Sequence, residues 1–405
     1  MYHHRTLEQH LAEASAQFPI VLLTGPRQSG KTTLLGHQAG QDRAYVTLDD
    51  LTARALARED PKLFLDENPP PLLIDEIQYA PDLLPYLKIR VDRDRLAGAY
   101  WLTGSQQFQM MKGVTESLAG RVAIASLHGF SRREQEGEGV DSPPFLPTRA
   151  RIESRGKVGS SGAPGVYEHI WRGAFPPLVA DGRDRETFLS SYLQTYVERD
   201  VRDLTQVGDL AAFTRFVRAC AARTAQLLNL STLARDVDIS VPTAKSWLSV
   251  LEASYQVYLL QPYHSSLHKR LIKTPKLYFW DTGLCAHLTG WTSSEVLSSG
   301  AMAGAIFETW VVGEVLKSWH HQGLRPPVYF FRDREGREID LLFDLDGHLY
   351  PLEIKKSATP RREWTKAWSA IESLGKPCGE GGILCLTDEI QALRPGVRAL
   401  PVTTL

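Results

Sequence analysis

The sequence predicts an α/β protein: a parallel sheet with helices on its faces, then a helical region, then a second and smaller α/β unit. Three observations lead there. Short apolar runs alternate with helix-compatible segments between residues 20 and 128, helical spacing dominates from about 166 to 260, and after 304 a helix pattern gives way to several strands. The length of 405 residues exceeds what one hydrophobic core usually organises, so two or three domains are expected.

In the first region the strand candidates are PIVLLTG (19–25), RAYVTLD (43–49), PLLIDE (71–76), AYWLTGS (99–105) and RVAIASL (121–127). Residues 131–165 change character, because REQEGEGVDSPP and GKVGSSGAPG are poor in large apolar side chains, and they read as a linker or mobile insertion. The expected division is 1–130, 131–165, 166–290 and 291–405. With 43% hydrophobic and 23% charged residues there is apolar material for several cores, and a net charge of −1 excludes a chain coated all over with basic residues. No apolar run approaches the ~20 residues that cross a bilayer, and MYHHRTLEQHLAEA lacks a signal-peptide core. A cytoplasmic protein with no membrane partner is expected. Cys220, Cys285, Cys378 and Cys385 show no CxxC spacing, which argues for reduced thiols rather than zinc or disulfides.

The strongest motif is GPRQSGKT at 25–32, which fits GxxxxGK(S/T), follows an apolar strand and leads into the helix-compatible run TTLLGHQAG. In such a loop Gly25, Pro26, Arg27, Gln28, Ser29 and Gly30 wrap the phosphates of ATP, which also sit on the positive end of the helix that includes Thr33. Lys31 would reach the β- and γ-phosphates, and Thr32 would be a ligand of Mg²⁺. In PPPLLIDEIQ (69–78) an apolar strand ends in Asp75 and Glu76. Asp75 would bind Mg²⁺ through water and Glu76 would deprotonate the attacking water, given an acidic strand lying beside the strand that feeds the phosphate loop. Thr103, Ser105 and Gln106 close another strand, where Ser105 is the candidate sensor of the γ-phosphate; the bland alternative is a strand-end turn. Arg121, in SLAGR, would steady the transition state within the chain or toward a neighbouring subunit, through self-association of this domain.

With LTGS (102–105), SLAGR (117–121), RGAFPPL (172–178), YVERDV (196–201), VPTAKSWLSVLE (241–252) and TPKLYFWDTGL (274–284), these motifs give a resemblance over nearly the whole chain. The chain resembles the additional-strand class of P-loop ATPases, specifically the AAA-like proteins of bacteria and archaea in which such a domain precedes a helical domain of unknown function. The departure is at 127–165, where a long Gly/Ser/Pro stretch replaces a more compact junction.

NLSTLARDVDIS followed by VPTAKSWLSVLEASY reads as two helices with a turn, with Ser231 and Ser240 as N-caps and Pro242 in the first turn of the second helix. YQVYLLQPY and KLYFW would then form the strands of a wing, making a winged helix-turn-helix. Lys245, Lys269, Arg270, Lys273 and Lys276 would offer a local basic surface to DNA, although the second helix carries one Lys and no Arg. Packing or protein contact is the alternative use.

Toward the end come Glu308, Asp340 in GREIDLLF, and Glu353 with Lys355 in LYPLEIKKS, an order that resembles the PD-(D/E)xK nuclease-like fold. Strand alternation points Glu353 and Lys355 to one face and Ile354 to the other. The carboxylates would hold a metal and the lysine would orient a water. Fold does not imply cutting, and a binding module is the alternative. The lone DTG at 281–283 is a turn rather than a protease loop, and His3–His4 and His320–His321 read as solvated. The functional expectation is an ATP-hydrolysing protein that acts on DNA, with a metal-dependent nuclease activity in its terminal domain; the alternatives are a DNA-remodelling or motor ATPase whose terminal domain does not cleave, and an ATP-dependent switch whose winged helix contacts protein.

Overall fold

The computed structural model describes residues 2–105, 117–138, 140–160, 162–196, 209–263, 274–333 and 335–405. Gln106, Lys269, Arg270 and Lys273, and most of YVERDV, lie outside the described residues.

The first unit runs α1 (Leu7–Gln17), β1 (Ile20–Thr24), α2 (Lys31–Ala39), β2 (Ala44–Thr47), α3 (Leu51–Glu59), α4 (Pro61–Glu67), β3 (Leu72–Asp75), α5 (Leu83–Asp94), β4 (Tyr100–Gly104) and β5 (Val122–Ser126). All five strands are parallel, in the order β2-β3-β4-β1-β5. Both faces are covered: Ile20 and Leu22 enter a core with Phe64 and Leu87, while Val21 and Leu23 enter one with Leu11 and Leu35. That double burial is why the strands read as unbroken apolar runs. Parallel register brings every strand's carboxyl end to one edge, where ligands bind in open α/β sheets. One expectation is corrected: β3 does not lie beside β1, because β4 is inserted between them and pairs with both.

The described residues of 131–165 are not loose. Ser131 and Glu134 form a reciprocal capping box on α6 (Arg132–Glu136), and Thr148 caps α7 (Arg149–Arg155). Arg133 Nε donates to Leu405 O at 2.7 Å and Arg155 Nε to Thr404 O at 2.9 Å. The segment packs through buried guanidiniums on backbone carbonyls, so a scan for apolar side chains does not see its burial.

The helical region holds α8 (Ala163–Arg172), α9 (Pro176–Val179), α10 (Arg185–Thr195), α11 (Leu210–Ala221), β6 (Gln226–Leu227), α12 (Leu230–Val237), α13 (Val241–Ala253), β7 (Val257–Leu260) and β8 (Lys276–Phe279). The three strands form one antiparallel sheet, β6-β8-β7. Ser240 caps α13 through Thr243 N at 3.1 Å with Pro242 in the first turn, but the cap of α12 is Asn229, not Ser231, through Thr232 N at 3.0 Å. Asp281 caps α14 (Thr282–Leu288), so DTG is a helix start.

After α15 (Ser294–Ser299), the long α16 (Ala303–His320) leads into β9 (Val328–Arg332), β10 (Glu338–Leu345), β11 (His348–Lys355), β12 (Gly381–Cys385), β13 (Gln391–Arg394) and β14 (Val397–Pro401). Strands β9, β10 and β11 form an antiparallel meander, and β12 then joins β11 in parallel. A single apolar core extends from Tyr192 and Trp247 through Phe307 and Val311 of α16 to Leu352 of β11. Position 290 is therefore no packing boundary. Among the described residues no helix is long and apolar enough to cross a membrane. Cys220, Cys285 and Cys385 are buried thiols and Cys378 an exposed one.

Candidate functional site

Strand β1 delivers Gly25 to the ligand edge of the sheet with φ +145°, and Gly30 turns into α2 with φ +88°. Both angles favour glycine, and a Cβ at Gly25 would collide with the carbonyl of Leu127. The Lys31 ammonium is folded over the loop, donating to Gly25 O at 3.1 Å and Pro26 O at 2.8 Å. Thr32 Oγ1 donates to Asp75 Oδ1 at 2.9 Å, so residues from the phosphate loop and the acidic strand meet directly.

The inserted strand β4 carries the centre of the site. Thr103 Oγ1 donates to Asp75 Oδ1 and accepts the backbone N–H of Glu76 at 3.0 Å. Tyr45 OH donates to Asp75 Oδ2 at 3.1 Å. Glu76 has left-handed backbone angles, φ 59° and ψ 47°, uncommon for a side chain of its kind. Its carboxylate accepts from Gln78 Nε2 and from Ser105 Oγ at 3.4 Å. Ser105 thus stands beside the Glu76 carboxylate, whereas Thr103 joins the Asp75 carboxylate to the Glu76 backbone.

A cavity of about 630 Å³ opens at this edge, with Lys31, Thr32, Asp75 and Glu76 on one wall and Arg183, Phe188, Tyr192 and Tyr196 on the other. The second wall comes from α10 and the turn before it, so the cleft lies between the sheet and the helical region. Tyr255 OH reinforces this junction by donating to Thr24 Oγ1 at 2.8 Å. A second chamber of about 240 Å³ shares Gln28, Gly30, Thr33 and Arg183 with the first and is walled by Tyr2, His3, Phe130, Pro176 and Pro177. The opposite wall escaped the sequence because no local motif marks it. Gln78, two residues beyond Glu76, was within reach of a scan for polar groups after the acidic strand.

Arg121 is misplaced for the transition-state role within the chain. It precedes β5 at the amino edge of the sheet, where Ile20 N donates to its carbonyl at 3.2 Å, opposite the phosphate loop. Its guanidinium pairs with Asp92 Oδ1 at 2.5 Å. Parallel register puts the start of β5 and the end of β1 at opposite edges, a distance invisible in the SLAGR motif.

The terminal candidates do converge. Lys355 Nζ lies 2.9 Å from Asp340 Oδ2 and 2.8 Å from Glu353 Oε2, with Ile354 facing the apolar core. Burial, then the charge of Asp340, pushes the Glu353 carboxyl up to about 8. The same two causes raise the Glu308 carboxyl on α16. Lys276, expected on a basic surface, is instead 3% exposed. It ion-pairs with Glu308 Oε1 at 3.1 Å and Glu338 Oε1 at 2.6 Å. Burial works against its charge, but Glu308, Asp340 and Glu338 outweigh that and hold its ammonium above the usual lysine range. Among the described residues no three His, Cys, Asp or Glu side chains are grouped so as to hold a metal ion.

A third polar cluster joins the start of the chain to α6 and to the residue after α16. Arg5 donates to Ser29 O of the phosphate loop at 3.0 Å and to His128 O at 2.8 Å, and it pairs with Glu134 at 3.1 Å. His321, beyond α16, meets Glu134 at 3.2 Å through Nδ1 and accepts the backbone N–H of His128 on Nε2 at 3.3 Å. His321 is therefore buried, not solvated, because an Arg-Glu pair supplies the partner that a His-His dipeptide does not announce.

Comparison with known proteins finds matches along most of the chain. Residues 17–136 match the model of an AAA domain, 164–295 a domain of unknown function (DUF8612) and 303–405 a domain of unknown function (DUF4143). An uncharacterized protein of Mycobacterium tuberculosis, Rv2008c, is 32% identical over 361 residues, covering 88% of this chain and 74% of its own. A counterpart in Mycobacterium bovis, Mb2031c, matches equally. Among solved structures, a Walker-type ATPase of Pyrococcus abyssi covers 70% of this chain and 94% of its own at 14% identity and a TM-score of 0.40. DnaA of Aquifex aeolicus bound to AMPPCP covers 61% and 85% at 15% identity and a TM-score of 0.25. Neither score carries an argument. The sheet order, the phosphate loop and the matched AAA domain make the first unit a P-loop ATPase domain, and the chain belongs to the family of these two mycobacterial proteins.

Proposed function

We propose that the chain hydrolyses ATP in the cleft between its sheet and its helical region, and uses that turnover to change how the rest of the molecule engages DNA. The observation that carries the first half is the continuous contact Thr32–Asp75–Thr103–Glu76, which joins the loop, the acidic strand and the inserted strand in one polar network. Thr32 and Asp75 place hard oxygen atoms side by side, which suits Mg²⁺, and the ion would neutralise phosphate charge there. Lys31 would exchange its bonds to the loop carbonyls of Gly25 and Pro26 for phosphate oxygens. Glu76, steadied by Gln78 and Ser105, takes the proton of the attacking water. Arg183 brings a cation from the helical side toward the charge that develops. The second chamber, with its proline and aromatic walls, suits the base. Glu76→Gln tests the assignment: ATP binding should persist while phosphate release stops.

Support for DNA is the order α11, β6, α12, α13, β7, β8 with sheet order β6-β8-β7, which is that of a winged helix. A salt-dependent shift of double-stranded DNA tests it. One observation favours the interaction switch instead: the exposed positions of α13 include Val241, Pro242, Ser246 and Ser249 beside Lys245, a face with little charge for phosphates. The helix α16, the meander β9–β11 and the parallel β12 support a nuclease-like terminal fold around Asp340, Glu353 and Lys355. A non-cleaving binding module is the form of that fold we favour.

A further inference from the structure

A nuclease-like notch would use its carboxylates to hold a divalent cation, which needs several oxygen atoms directed at one point. Here each of the three carboxylates already accepts from protein donors. Asp340 Oδ2 accepts from Lys355 Nζ at 2.9 Å and from the Ile354 backbone N–H at 2.8 Å. Glu353 accepts from Lys355 at 2.8 Å and from Trp368 Nε1 at 3.3 Å. Glu308 Oε1 accepts from Tyr278 OH at 2.7 Å as well as from Lys276 at 3.1 Å. Lys276 and Tyr278 alternate on β8, so one face of that strand is aimed at the notch. The strand belongs to the small sheet of the helical region and not to the terminal sheet.

We propose that Lys276 is a tethered cation standing where the nuclease-like fold would take a divalent metal, so that the terminal notch is closed to metal and β8 is locked onto the terminal domain. An ammonium buried to 3% exposure needs charged partners, and Glu308 and Glu338 supply them. The carboxylates, equally, need a cation, and a lysine on a neighbouring strand is always present at the concentration of the chain itself. The donor set does not fit a metal while this strand stays docked. Movement of the small sheet would expose Glu308 and Glu338 together, which makes the lock a coupling between helical and terminal regions.

The inference rests on the nuclease-like reading of the terminal fold and is independent of the ATP site. Mn²⁺ alone, without nucleotide, is titrated into the full chain and the free ion is followed by electron paramagnetic resonance. Wild type and Asp340→Asn should bind Mn²⁺ identically. Lys276→Met should gain one Mn²⁺ per chain, held at least tenfold more tightly than any site in wild type, and Lys276→Met with Asp340→Asn should lose it again. A wild-type Mn²⁺ site abolished by Asp340→Asn would overturn the proposal, as would folded Lys276→Met that gains no site. Should Lys276→Met not fold, wild type against Asp340→Asn still decides, equal binding supporting the lock and loss of a site refuting it. ATP binding measured on the same samples reports separately on the phosphate loop.

Discussion

The phosphate cleft and the terminal notch use the same residue types, a lysine beside acids at strand ends, and hold them oppositely. In the cleft, Lys31 bonds two neutral carbonyls, while Asp75 and Glu76 meet hydroxyl and amide groups before a cavity of about 630 Å³. In the notch, Lys355 and Lys276 sit directly on carboxylates. Hydrogen bonds between a charged and a neutral group are worth ~1.5–3 kcal/mol each, whereas breaking a buried ion pair costs ~3–5 kcal/mol. An arriving phosphate can displace the first kind of partner but not readily the second. The cleft is prepared for a ligand and the notch has supplied its own.

Four substitutions test that contrast, beginning with the largest effect. Glu76→Gln should lower ATP turnover by about 10²- to 10⁴-fold, the usual contribution of a positioned base, with little change in stability. Steady-state phosphate release checks it, and turnover within a few-fold of wild type would remove Glu76 from the role of base. Lys276→Met should act through the fold, costing about 3 kcal/mol in denaturant unfolding because it strands two carboxylates, while ATP turnover per folded molecule stays near wild type. Equal stability would mean that the notch is no tighter than the cleft. Arg183→Ala should slow turnover at least tenfold, below the effect of a fully buried donor because the Arg183 side chain is 60% exposed. If it weakens ATP binding and turnover equally, Arg183 binds the ground state only.

The smallest effect belongs to the junction between the two sites. Burial and the charge of His321 hold the His320 imidazole down at about 4. The folded chain therefore keeps this ring neutral where the unfolded chain, with an ordinary value near ~6.5, takes a proton. The stability contributed by a neutral His320 is complete above pH 6.5 and lost as the pH falls from there toward 4. The slope approaches ~1.4 kcal/mol per pH unit. Wild type compared with His320→Gln at pH 7.5 and 5.0 should show that difference, and parallel pH curves would refute it.

The same contrast explains what was legible in the residues themselves. Glycines forced by φ +145° and +88°, a lysine one step on, and an apolar strand ending in two acids are local signals, and each stands where the pattern places it. Glu353 and Lys355 share a face because strands alternate, which is equally local. Lys276 reads as basic surface because its neighbours in sequence are basic, while its partners, Glu308 and Glu338, arrive from two other elements. The insertion of β4 between β1 and β3 is a fact of pairing, and with it went the importance of Thr103. Residues 131–165 looked loose because their burial rests on arginine and backbone rather than on apolar side chains. Arg183 and the aromatic wall of α10 carry no motif and reach the cleft only through the docking of one region on another.

The measurement that bears most directly on the ATP site is a titration of ATP in Mg²⁺ into wild type, Glu76→Gln and Lys31→Ala, with binding and phosphate release read on the same samples. Wild type should bind and hydrolyse, Glu76→Gln should bind as well as wild type and release no phosphate, and Lys31→Ala should bind at least tenfold more weakly. Wild type that neither binds nor hydrolyses ATP, or Lys31→Ala that turns it over normally, would contradict the account.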